Sequence, residues 1–343
     1  MRVFFSEKHR YHFPQAELSG GQFVTPFERP SRIEYILRSL SEAGFDAPVT
    51  PDPIDMGPVK SLCDPGYLNF LQTAWEEWKA DGYAGEIIAT SFPSRRMHFN
   101  RPPKNIDGKA GYYALALETA ITDGTWTATQ WSAACAQSAV ADVIGGARSA
   151  FALCRPPGHH ATADMYGGYC FLNNAALVAE AFRSSGADRV AIVDIDFHHG
   201  NGTQDIFYQR GDVLFTSMHG APEDAFPYYL GYVDETGAGA GEGANANYPM
   251  PPGTTFDVWG AALSDAIEKV KDFSADALVV SLGVDAYKED PISFFKLDSE
   301  DFTKAGAQLG ALGLPTVLCM EGGYAIEQVG VNTVNVLSGF LNA

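Results

Sequence analysis

What constrains this chain most is a repeating pattern: short, wholly apolar runs, several ending in a carboxylate, alternate with amphipathic stretches. The runs are Val3–Phe5, Ser149–Cys154, Arg189–Asp194, Val213–Ser217, Ala277–Leu282 and Pro315–Met320. They lack period-two alternation, as strands buried on both faces do. Between them, helical spacing of apolar residues predicts helices over Arg32–Ala43, Pro65–Lys79, Gly108–Ile121, Ala128–Ile144, Asn174–Ser184, Val258–Lys271, Ser299–Leu312 and Gln328–Leu341. Such alternation folds as a mostly parallel sheet flanked by helices on both faces. We expect one α/β domain over residues 1–343, without repeats or linkers, and with its site at the C-terminal ends of the strands.

A 343-residue chain that is 46% hydrophobic can bury a large core. The N-terminus has no basic region followed by an apolar run, and no stretch of eighteen apolar residues occurs, so a soluble, cytoplasmic protein is expected. The five cysteines (Cys63, Cys135, Cys154, Cys170 and Cys319) are odd in number and form no C-x-x-C pair, which fits free thiols in a reducing compartment. A net charge of -19 argues against nucleic acid or anionic membrane as partner and favours a cationic substrate. Two stretches read as long loops: 81–107, a basic and proline-rich island with Arg95, Arg96, Arg101 and Lys104, and 219–253, rich in Gly and aromatics. The first suits an oligomer contact, or simply a solvated surface.

Four strand ends carry the chemistry. After Arg189–Asp194 come Asp194-Ile-Asp-Phe-His-His-Gly-Asn201, and in extended backbone Asp196 and His198 point the same way, toward one ion. His199 points away and drops out as a ligand. Asp285, ending the Ala277 run, alone reads equally well as a strand-end cap. With Asp196 and His198 it makes a two-carboxylate, one-imidazole set that leaves a position open for water. Cys154-Arg-Pro-Pro-Gly-His-His160 presents two imidazoles from a turn, either of which can accept and donate a proton. Met320-Glu-Gly-Gly-Tyr324 lets paired glycines swing a tyrosine hydroxyl toward an oxyanion.

R-P-P-G-H-H, D-I-D-F-H-H-G-N-G-T, S-L-G-V-D and E-G-G-Y, in this order, resemble the zinc-dependent histone deacetylase family of the arginase/deacetylase superfamily. The likeness runs along the whole chain. Ala16-Glu-Leu-Ser-Gly-Gly, Tyr67-Leu-Asn-Phe-Leu, the 81–107 insertion and Asp290-Pro-Ile-Ser-Phe-Phe-Lys-Leu297 look most like its bacterial acetylpolyamine amidohydrolase branch.

The resemblance implies the arginase/deacetylase fold, and Zn²⁺ on Asp196, His198 and Asp285, a donor set that also accepts Fe²⁺ or Co²⁺. It implies His160 as general base and acid, His159 as its electrostatic partner, Asp194 behind His159, Asn201 behind His160, and Tyr324 as oxyanion donor. Tyr169 and Phe226, with Gly168, would wall the channel for the alkyl chain; Glu17, Asp107 and Glu118 would meet the cationic end. It further implies potassium, near Asp194, Asp196, His198, Ser217 and Met218, and again near Phe207, Arg210 and Val213. The expected reaction is hydrolysis of a small, cationic acetylated amine of the acetylputrescine, acetylcadaverine or acetylspermidine type, in a homodimer whose insertion narrows the entrance. Protein lysine deacetylation is the rival with the same chemistry. A noncatalytic binder of acetylated ligands would have no use for Tyr324 opposite a water-activating metal. Ureohydrolase chemistry would need a second metal's ligands, which D-x-D-x-H-H-G-N-G with a single S-L-G-V-D does not supply.

Overall fold

The structure, a computed structural model, describes residues 1–343. Its strands are β1 (Arg2–Phe4), β2 (Glu17–Ser19), β3 (Gln22–Val24), β4 (Ser149–Ala152), β5 (Val190–Asp194), β6 (Val213–Gly220), β7 (Asn245–Met250), β8 (Ala277–Leu282) and β9 (Thr316–Met320). Its helices are α1 (Ser31–Glu42), α2 (Met56–Leu62), α3 (Pro65–Ala80), α4 (Ile106–Tyr112), α5 (Thr125–Ile144), α6 (Asn174–Ser184), α7 (Asn201–Phe207), α8 (Phe256–Phe273), α9 (Ser299–Gly310) and α10 (Val329–Leu341). Seven strands form one sheet in the order β1-β4-β9-β8-β5-β6-β7, and every neighbouring pair is parallel. No helix is long and apolar enough to cross a membrane.

The central strands are apolar throughout because both faces are covered. Successive side chains serve opposite cores: Ala191, Val193, Leu278, Val280 and Leu318 join the core that also holds α1, α8, α9 and α10 residues. Val190, Ile192, Val279 and Val317 join the one that holds α5 and α6 residues. Truncating one such fully buried side chain, as in Leu278→Ala, costs about 2–5 kcal/mol. A third core, with Tyr67, Phe70, Ile87, Ile121, Tyr166 and Phe171, ties the 81–107 insertion to α3.

Two expectations are corrected. The helix expected over 108–121 covers only α4, because Tyr113 C=O and Leu115 N–H turn aside to bond the backbone of Tyr166 (2.8 and 2.7 Å). Glu118 therefore stands on irregular chain rather than on a helix. The 219–253 loop contains an edge strand, β7, which Asn245, Asn247 and Pro249 disguise; proline is tolerated where the outer edge needs no donor. Glu17 begins the β2–β3 hairpin, whose two-residue turn Gly20-Gly21 takes φ of 56° and 78°, a conformation glycine adopts freely.

Candidate active site

The loops after β4, β5, β8 and β9 meet, because these four strands are contiguous in the sheet. Asp196, His198 and Asp285 converge there, all buried, with one donor atom of each within 4.8 Å of the others. His198 Nδ1 lies 2.9 Å from Asp285 Oδ2 and 3.3 Å from Asp196 Oδ1. Backbone N–H groups fix the carboxylates: Phe197 donates to Asp285 Oδ1 (2.7 Å) and Gly322 to Asp196 Oδ2 (2.8 Å). A β-carbon on Gly283 would come 2.0 Å from Asp196 Oδ2, and one on Gly322 would come 2.6 Å from both Asp196 Oδ2 and Asp285 Oδ2. Glycine is required at both places for the carboxylates to sit side by side.

The electrostatics of this cluster call for positive charge. Burial alone would lower His198, yet its bonds to Asp196 and Asp285 prevail and raise it to about 10. Asp196, despite burial, is held far below the usual carboxylate range by His159 and His198. Two buried carboxylates and an imidazole with this appetite for a cation fit a divalent metal.

The two histidines stand beside it, ring centroids 4.0 Å apart. His159 Nδ1 faces Asp194 Oδ2 at 2.9 Å, whereas His160 Nδ1 faces the neutral Asn201 Oδ1 at 2.6 Å. Their environments drive them apart. Burial pulls both down, but Asp196 and Asp194 overturn this for His159, which rises to about 10. His160, next to His159 and His198, falls well below its ordinary value. Glu321, after β9, holds their loop by accepting from the N–H groups of Gly158 (2.6 Å) and His159 (3.1 Å).

Tyr324 lines the cleft above the cluster, and its hydroxyl bonds to no protein group. Its backbone N–H donates to Asp290 Oδ2 (2.7 Å). The buried Arg32 donates to the carbonyls of Glu321 (2.7 Å) and Gly323 (2.6 Å) and lies 4.8 Å from the Tyr324 ring centroid. Arg32 is in turn paired with Glu28, which also binds Arg155 of the R-P-P-G turn.

The cleft, ≈ 340 Å³, is walled by Tyr169 and Phe226, with Gly168, Ile292 and Phe294 also lining it. Phe226 meets the His160 ring edge-on at 5.1 Å. Glu17 and Glu118 both line it: Glu17, itself buried, accepts from the Tyr169 hydroxyl (3.1 Å), and Glu118 from Gly168 N–H (2.9 Å). Asp107 is not there. It lies on α4 near Thr90 Oγ1 (3.5 Å), away from the lining of this cleft.

The remaining residues named from the sequence fall into place around β6. Asp194 is register-paired with Ser217, with Met218 next along β6; Phe207 and Arg210 lie at and just beyond the end of α7, before Val213 opens β6. His199 points away from the cluster to Gln204 and Asn247, and His219 is buried outside the cleft lining. Sequence reading missed Arg32, Glu28, Asp290, Glu321 and the lining residue Asp224. Glu321 and Asp290 belonged to noted motifs, but a backbone-holding role leaves no mark in sequence.

Residues 26–340 match the histone deacetylase domain, and the chain belongs to the histone deacetylase family of hydrolytic enzymes. Within it, the chain is 54% identical to the acetylpolyamine amidohydrolase of Mycoplana ramosa over 339 residues, 99% of each chain. It is 52% identical to acetylpolyamine amidohydrolase 1 of Pseudomonas aeruginosa, over 99% of this chain and 98% of the other. The crystal structure of acetylpolyamine aminohydrolase from Burkholderia pseudomallei superposes with a TM-score of 0.94 at 39% identity, covering 99% of this chain and 98% of that one. Family membership implies a metal cofactor, and Asp196, His198 and Asp285 offer the ligand set for it.

Proposed function

We propose that this chain hydrolyses small acetylated di- and polyamines, of the acetylputrescine, acetylcadaverine and acetylspermidine type, to acetate and free amine. The observation that carries this reading is the aromatic-lined cleft that takes in His160, Tyr324 and His198 of the metal-fit cluster together with the carboxylates of Glu17 and Glu118. Full-length relatives bearing the acetylpolyamine amidohydrolase name support it, as does the net charge of -19.

We assign Zn²⁺ to Asp196, His198 and Asp285, with Fe²⁺ or Co²⁺ as alternatives the donor set tolerates. A metal held by these three residues would supply Lewis-acid chemistry, polarising the amide carbonyl and making water more acidic. The protein's own groups do the rest. His160 accepts the proton of the attacking water and later delivers it to the leaving nitrogen. Asn201 orients His160 through Nδ1, and His159, held by Asp194, stands beside it as its electrostatic partner. The Tyr324 hydroxyl donates to the developing oxyanion. Tyr169 and Phe226 hold the alkyl chain, beside Gly168, while Glu17 and Glu118 attract the distal ammonium.

Around this centre the reading includes K⁺ beside Asp194, Asp196, His198, Ser217 and Met218, and beside Phe207, Arg210 and Val213. It also includes a homodimer joined through 81–107 and, from the five free thiols, a cytoplasmic setting. The test is a panel of acetylputrescine, acetylcadaverine, acetylspermidine and an acetyl-lysine peptide on protein of measured metal content. The amines should exceed the peptide in kcat/KM by about 10²-fold or more, the scale of discrimination that differential contacts supply. A preference for the peptide would replace this reading with protein lysine deacetylation.

A further inference from the structure

We propose that Glu235 is a positioning residue for the channel wall, clamping the 221–235 loop to α7, the same helix whose first residue orients His160. The proposal rests on the reading of the cleft as an acetylamine channel. The loop carries Phe226 and Tyr228 into that cleft. Ala225 anchors the start of the loop in the core, but beyond it packing is poor: Tyr228, Tyr229 and Val233 are 50%, 85% and 70% exposed, and Tyr228 occupies the left-handed region (φ 67°), which disfavours residues other than glycine. Something outside the loop must hold it.

That hold is polar and converges on one carboxylate. Glu235 Oε2 accepts from Gln204 Nε2 (2.6 Å) and from Gly231 N–H (2.9 Å), with no cationic partner. Gln204 Oε1 accepts from Asn245 and Asn247 Nδ2 (3.0 and 2.8 Å). His219 Nε2 faces the carbonyl of Gly231 at 2.9 Å, and Asn247 donates to that of Tyr232 at 3.1 Å. Gly231, at φ 105°, lies so flat on this floor that a β-carbon would come 2.7 Å from His219 Nε2 and 2.9 Å from His199 Cγ. One stretch thus divides its labour. His198 turns to the metal cluster, Asn201 to His160, and His199 and Gln204 to the network under the wall.

Hydrogen bonds to a charged acceptor are the strong ones in such a network, so removing it should loosen the wall while leaving the floor intact. Glu235→Ala should raise KM for acetylputrescine about tenfold with kcat within about twofold, and speed chymotryptic cutting at 228–232 about tenfold. Glu235→Gln, which keeps an oxygen acceptor, should restore both to within about threefold, and Gly231→Ala should reproduce the loosening from the other side. Unchanged KM and cutting would overturn the proposal, as would a fall in kcat at constant KM or a loss of metal and Tm. A parent protein inactive on every acetylamine would defeat the functional reading alone, because the cutting rate judges the wall without a substrate.

Discussion

Placing one methyl group on Gly168 tests whether the position of His160 governs turnover. A β-carbon there would lie 2.2 Å from His160 Cδ2 and 2.6 Å from Cγ. Carbons in ordinary contact stand about 3.5 Å apart, so the imidazole must retreat by about 1.3 Å. It cannot do so and keep Nδ1 at 2.6 Å from Asn201 Oδ1. Misplacement by about 1 Å costs about 10²-fold in rate. Gly168→Ala should therefore lower kcat/KM for acetylputrescine by about 10²–10³-fold with metal content unchanged. The left-handed backbone (φ 54°) adds about 1–2 kcal/mol of instability for alanine. Gly44→Ala separates the two effects: φ is 81° there and nothing lies within 4 Å of the new carbon, so it shares the strain without the clash. Steady-state kinetics, metal analysis and thermal unfolding on both variants decide the matter. If Gly168→Ala and Gly44→Ala retain equal activity, the argument from His160 is wrong.

Tyr324→Phe should cost about 10²-fold in kcat at full metal occupancy, the usual loss for one oxyanion donor; near-parental turnover would remove that role. Glu17 is pushed up to about 7, first by burial, against bonds from Phe27 N–H and the Tyr169 hydroxyl, and with Glu118 and Glu28 adding to the rise. The folded chain keeps this proton above the carboxyl's ordinary 4.5, so its contribution to stability falls as pH rises through that window to about 7. The charge gained attracts ammonium: KM for acetylputrescine should fall several-fold between about pH 6 and 8, a step that Glu17→Gln should flatten. A step that survives in Glu17→Gln belongs to another group. Glu118→Gln should raise KM for acetylspermidine or acetylputrescine more than for a neutral acetamide; equal effects would deny it a part in cation recognition.

The parallel sheet was legible because its strands are buried on both faces and so carry unbroken apolar runs; Ala277–Leu282 matches β8 end to end. The site motifs were legible for a related reason, since each follows such a run. Legibility failed where contacts distant in sequence overrule local pattern. Residues 113–121 have helical spacing, but Tyr113 and Leu115 bond to Tyr166 and Ile121 to Ile87 instead, and β7 is an edge strand whose asparagines serve the wall network. Asp107 looked like a rim carboxylate by position in a motif, yet α4 carries it elsewhere. Arg32 sits on an ordinary amphipathic pattern with Glu28 on the irregular chain before it, and only the folded chain brings Arg32 against Tyr324 and Glu28 against Arg32.

The sheet order β1-β4-β9-β8-β5-β6-β7 also has a consequence for the birth of this protein on the ribosome. The next-to-last element to emerge, β9, is the only bridge between a half-sheet made of β1 and β4 and another made of β8, β5, β6 and β7. One half presents the paired histidines and the other the metal cluster. A chain still short of Thr316 holds the paired histidines and the metal cluster but lacks Tyr324 and has no strand to join the two halves. Catalysis thus switches on late and all at once, and an incomplete product of translation is inert rather than partly active.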